Sequence, residues 1–122
     1  MLVKETNGKI NFIDRNDCFV GFDYAQDCCE SFGWYLNTIW STEASPLFTS
    51  ENFADEKALD GFWFDTATDP VSVDDDANDE GGTVAFRCVN SAGDVLWLHL
   101  YNAHNGYYSH GWETSWGQAG SL

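Results

Sequence analysis

The chain has 122 residues, 43% of them hydrophobic and 16% aromatic, which is enough for one compact domain with a real core. Five Lys and Arg stand against twenty Asp and Glu, and the formal charge of -15 repels phosphate backbones and argues against direct nucleic-acid binding. No apolar run approaches membrane-spanning length, so no membrane association is expected.

Residues 1–8 lack the apolar stretch of a secretory signal, which points to a soluble cytoplasmic protein. Lys9 to Asp14 and Cys18 to Tyr24 form two short β-type runs around Arg15-Asn16-Asp17, a spacer that suits a hairpin and places Phe12 or its neighbours on a core face. The segment Gln26-Asp27-Cys28-Cys29-Glu30-Ser31 follows, and two adjacent cysteines flanked by carboxylates are not explained by ordinary strand patterning. A bond between neighbours in sequence strains the ring it closes, so reduced thiols are expected, with Cys28 and Cys29 in a structural role.

Ser31 to Trp40 is aromatic and irregular and reads as a strand or short turn, while Ser45 to Lys57 has no clean period. Gly61 to Asp65 reads as a strand with Phe62 and Phe64 on one face and Trp63 on the other. Thr66 to Gly82 carries Asp69, Asp74, Asp75, Asp76, Asp79 and Glu80 and reads as an exposed acidic surface loop, residues 66–82, within the single domain 1–122.

The C-terminal half alternates most clearly. Thr83 to Asn90 and Asp94 to Asn102 flank Ser91-Ala92-Gly93, a turn in which Gly93 can take positive φ. Leu96, Leu98 and Leu100 share the face better suited to the core, and Val95, Trp97, His99 and Tyr101 share the other. Asn105 to Trp112 begins with a tight turn and continues as a strand expected to pair back on its predecessor. With no convincing amphipathic helix, the fold class is mainly β: a small single-domain antiparallel sandwich or partly open barrel with little helix.

The pairing of Gln26-Asp27-Cys28-Cys29-Glu30-Ser31 with Asn105-Gly106-Tyr107-Tyr108-Ser109 after a β-hairpin resembles a family of small uncharacterised proteins of bacteriophages and prophages. That family's pattern has a histidine two residues before the glutamine, where this chain has Tyr24. The resemblance covers about half the chain and implies a phage-type origin and a small β-rich fold, with no established activity.

Several residue sets could carry chemistry. Cys28 and Cys29 with a histidine could hold Zn²⁺, but neighbours on a strand point to opposite faces, and the carboxylates of Asp27 and Glu30 disfavour a thiolate. Asp74, Asp76 and Asn78 alternate as in a calcium loop, yet Asp79 stands where that loop turns on glycine and Ala85 where it needs a bidentate carboxylate. No metal or other cofactor is expected.

Six Trp, five Tyr and nine Phe exceed what the core of a small domain absorbs, so recognition through an aromatic and acidic surface is the leading expectation. The candidate partner-binding residues are Asp27, Glu30, Trp97, His99, Tyr101, Tyr107, Tyr108, His110 and Trp112. The expected function is a non-enzymatic accessory protein that binds a host protein or a small ligand. The alternatives are a metal- or thiol-dependent hydrolase using His, Asp and Cys, and an acidic nucleic-acid mimic that inhibits a host defence enzyme. Edge strands of a small β domain also allow a homo-oligomer.

Overall fold

Short alternating runs separated by tight turns fold here into two facing antiparallel sheets. The computed structural model describes residues 1–26, 29–38, 48–49, 59–73, 81–103 and 108–122. Its strands are β1 (Leu2–Thr6), β2 (Lys9–Ile13), β3 (Phe19–Asp23), β4 (Ser31–Asn37), β5 (Phe48–Thr49), β6 (Trp63–Phe64), β7 (Val71–Val73), β8 (Gly81–Val89), β9 (Val95–Ala103), β10 (Gly111–Thr114) and β11 (Ala119–Ser121). Among the described residues, one sheet runs β1-β2-β3-β10-β11 and the other β5-β4-β9-β8-β6, with β7 added on β8. The expected mainly β, antiparallel sandwich is what forms, and the sheets do not close into a barrel. No helix among the described residues is long and apolar enough to cross a membrane.

Turn chemistry sets the registers. Asn7 and Gly8 both take positive φ, 54° and 75°, which makes the two-residue turn whose twist matches a β1–β2 hairpin. Three further hairpins share one three-residue design. In β2–β3 the Asp14 carboxylate accepts from the Asn16 and Cys18 amides, and Asp17 closes the loop at φ 60°. In β8–β9 the Asn90 side chain accepts from Ala92 and Asp94, and Gly93 closes it at φ 85°. In β10–β11 the Thr114 hydroxyl accepts from Gln118, and Gly117 closes it at φ 95°. Each loop has a short polar side chain just before it and a left-handed residue at its last position.

The core lies between the sheets. Ile10, Phe12, Val20 and Phe22 from the first sheet meet Trp34, Leu36, Phe64, Val84, Phe86, Cys88, Leu98 and Leu100 from the second. Phe12 and Trp34 meet edge to face at 5.2 Å across the gap. Asp14 adds a polar staple, since its second carboxylate oxygen accepts from the Phe64 amide of the opposite sheet at 2.9 Å.

The segment 2–6 forms a strand although it carries no apolar alternation of its own. Of the strand or short turn expected at Ser31 to Trp40, Ser31–Asn37 forms a strand, paired along its whole length with β9. Two expectations are corrected. Within the expected loop 66–82, Val71–Val73 pairs with β8 and Gly81 and Gly82 belong to β8 itself, while 74–80, the calcium candidate included, lies outside the described residues. β10 does not pair back on β9: it crosses to the other sheet between β3 and β11, because its inward Trp112 and Thr114 complete the core opposite Phe86.

Candidate functional site

Both crossings between the sheets lie at one end of the sandwich. The chain passes from β3 to β4 through residues 24–30 and returns from β9 to β10 through residues 104–110. Ser31 opens β4 directly opposite Ala103, the last residue of β9, and Asp23 and Gly111 stand one position beyond the Phe22–Trp112 pair. The two sequence anchors overlap these crossings, of which residues 27–28 and 104–107 lie outside the described residues.

His110 and Glu30 join them. His110 Nε2 is 3.2 Å from Glu30 Oε1, and both side chains are fully buried. On the ring's other side Nδ1 is 2.6 Å from the Asp23 carbonyl, with the Asp23 carboxylate at 4.0 Å. A carbonyl only accepts, so Nδ1 carries a hydrogen. Phe32 stacks on the imidazole at 4.2 Å, and Phe22 and Tyr24 complete an aromatic wall.

The surrounding carbonyls are met by side chains. Gln26 donates to the Glu30 carbonyl, and Asn102 Nδ2 donates to the carbonyls of Tyr108 and Leu122. Asn102 Oδ1 is buried with no hydrogen-bond partner among the described residues. Cys29 is exposed and disulfide-bonded, whereas Cys18 and Cys88 are free. The expectation of reduced thiols throughout is thus corrected at Cys29. Asp27, Cys28 and Tyr107 lie outside the described residues.

The other expected residues are dispersed. Trp97, His99 and Tyr101 do share the second face of β9, but His99 is fully buried and Trp97 and Tyr101 are half-buried. His99 stacks on Tyr35 at 4.4 Å, nearly parallel, and its Nδ1 is 3.2 Å from the Trp97 carbonyl. Burial, with the nearby Tyr101 charge adding to it, pushes the Tyr35 hydroxyl up to about 12. Trp112 points inward, edge-on to Phe86 at 5.3 Å, and Tyr108 is half-buried. Among the described residues no three His, Cys, Asp or Glu side chains converge as a metal site would require. The free Cys88 is buried in the core, which pushes its thiol far above the ordinary range and away from nucleophilic use.

An open groove of about 470 Å³ lies on the outward face of the five-stranded sheet, and sequence reasoning missed it. Strand registers explain it. Lys9 faces Asp23 across β2 and β3, and the next outward row holds Asn11, Gly21, Glu113 and Ala119. Gly21, Gly111 and Ala119 have no side chain beyond Cβ, so the floor is bare backbone, bordered by Lys9, Asp23, Glu113 and the Asn7-Gly8 turn. Lys9 lies flat over Gly21 to pair with Glu113, and a Cβ on Gly21 would come within 2.6 Å of Lys9 Cε. The detectable trace in the sequence was Asn7-Gly8, which fixes β1 and hence the rim.

Comparison of the chain with family models, with curated proteins and with solved structures returns no match, so the corner and the groove are interpreted from their own chemistry.

Proposed function

We propose that the protein is a non-enzymatic accessory protein of phage type that acts in the cytoplasm of a host cell by binding a small ligand or a host protein. The observation that carries this reading is the open, charge-rimmed groove on the outward face of the five-stranded sheet. Its volume falls in the range of small-molecule sites, roughly 300–1,000 Å³, and its floor offers backbone and not bulky side chains. Of the residues the hydrolase alternative needs, His99 and His110 are fully buried and Cys29 is disulfide-bonded, while Asp27, Cys28 and His104 lie outside the described residues. The acidic-mimic alternative rests on net charge alone.

A thermal-shift screen of metabolites, followed by amide-resolved NMR of any compound that raises the melting temperature, tests the reading. Ligand-induced shifts confined to residues 7–9, 21–23, 111–113 and 119 are expected. A screen without a stabilising compound, together with host-lysate capture that yields no partner dependent on these residues, would refute it.

A further inference from the structure

We infer that the groove takes a small zwitterion of the α-amino-acid class, its carboxylate on Lys9 and its ammonium on Asp23. The inference rests on the reading of this groove as a binding site and adds the ligand's chemistry. Lys9 starts opposite Asp23 but leans diagonally over Gly21 to the Glu113 carboxylate of β10. Its ammonium therefore lies one strand away and two residues along from Asp23, roughly 8 Å by ordinary sheet spacings. An α-amino acid bridges that separation with one charge-assisted hydrogen bond at each end.

The donors and acceptors allow it. An ammonium carries three hydrogens, so Lys9 can keep Glu113 and still donate to a second carboxylate. The Asp23 carboxylate borders the groove, is 44% exposed, accepts from the Ala25 amide through Oδ1 and has Oδ2 4.0 Å from His110 Nδ1, so its lone pairs are not all used. A simple anion meets Glu113 and Asp23 together with the field of a chain of charge -15. A simple cation meets Lys9. Only a ligand with both charges finds a complement at each end, and the bare floor at Gly111, beside the Lys9 stem that covers Gly21, lets its backbone-like atoms lie close.

The test is a ¹⁵N NMR titration of the whole protein with glycine and L-alanine, against acetate and methylammonium as the two half-ligands. The zwitterions are expected to shift the amides of Gly8, Gly21, Gly111 and Ala119. Each half-ligand should bind about tenfold more weakly or worse, as loss of about 1.4 kcal/mol implies. Lys9→Met keeps the stem across Gly21 and Asp23→Asn keeps the cap on Ala25, so both variants should fold and both should lose glycine binding about tenfold.

Methylammonium binding as well as glycine, or glycine binding unchanged in Asp23→Asn, would overturn the assignment. So would the absence of any shift at about 50 mM zwitterion, far above a useful dissociation constant. If an unrelated compound from the metabolite screen shifts these same amides while zwitterions do not, the ligand class is wrong and the binding reading stands. If nothing shifts them, both fall.

Discussion

Removing the Glu30 carboxylate should cost the protein a large part of its stability. Glu30 and His110 are fully buried and their partners come from opposite crossings, so Glu30→Ala leaves Nε2 facing Phe22 and Phe32 with no solvent to replace the lost contact. Breaking a buried pair from one side costs about 3–5 kcal/mol, against a total stability of roughly 5–15 kcal/mol for a domain. For a chain of this length that is a fall in Tm of roughly 10–20 °C. Glu30→Gln behaves differently. Its amide can donate to Nε2 of a neutral ring whose Nδ1 hydrogen still reaches the Asp23 carbonyl, and the loss should stay near 1 kcal/mol. Replacing both partners by apolar groups, Glu30→Met with His110→Phe, should recover most of the stability lost in Glu30→Ala, since the new ring can stack on Phe32. Urea unfolding followed by tryptophan fluorescence measures all three at constant slope. A Glu30→Ala midpoint within 1 kcal/mol of the parent, or a Glu30→Gln loss equal to it, would refute the reasoning.

Gly120→Ala should lose about 1–3 kcal/mol, because its Cβ would come within 2.7 Å of Trp112 Cζ2 and that indole is held against Phe86. Gly21→Ala meets only the mobile end of Lys9 and Asn11 Oδ1 and should cost under about 1 kcal/mol while blocking the groove; urea midpoints and glycine titration separate the two effects. The Tyr35 hydroxyl is raised from 10 to about 12 in the folded state, so its contribution to stability is complete below pH 10 and lost as the pH rises toward 12. Absorbance at 295 nm should show one late-titrating tyrosine that Tyr35→Phe removes. Thiol titration of unfolded, unreduced protein should find Cys18 and Cys88 but fewer than four thiols, and prior reduction should restore all four.

The fold was legible where strand alternation and turn chemistry agree. The β2–β3 and β8–β9 hairpins follow from runs flanking Arg15-Asn16-Asp17 and Ser91-Ala92-Gly93, and the structure forms both. The same logic applies to Ser115-Trp116-Gly117 after Thr114 and to Asn7-Gly8, which are equally good turns beside shorter or more polar strands. β4 could be read only as a strand or a short turn because it is buried on both faces, with Trp34 and Leu36 inward and Gly33, Tyr35 and Asn37 also covered, so no alternation remains to detect. The same cause hid the burial of His99, which shares a central strand with Leu98 and Leu100. The groove left even less trace. It depends on which small residues become neighbours across four strands, and a single chain does not carry that register on its surface pattern.

The joining of Glu30 to His110 has a physical explanation in the crossings themselves. Where a chain leaves one sheet for the other, its carbonyls lose their strand partners while still buried, and each must find a donor. Here His110 serves the Asp23 carbonyl, Gln26 serves that of Glu30, and Asn102 serves that of Tyr108. Side chains thus replace ladder hydrogen bonds at the one end of the sandwich where both crossings run. Such substitutes must be particular residues at particular positions, unlike strand residues, which need only be apolar and in phase. A distinctive pair of sequence segments can therefore arise from closure of the fold alone. The face that does remain open is made from residues that look ordinary one at a time: Lys9, Gly21, Asp23 and Glu113 acquire their meaning only when β2, β3 and β10 are laid side by side.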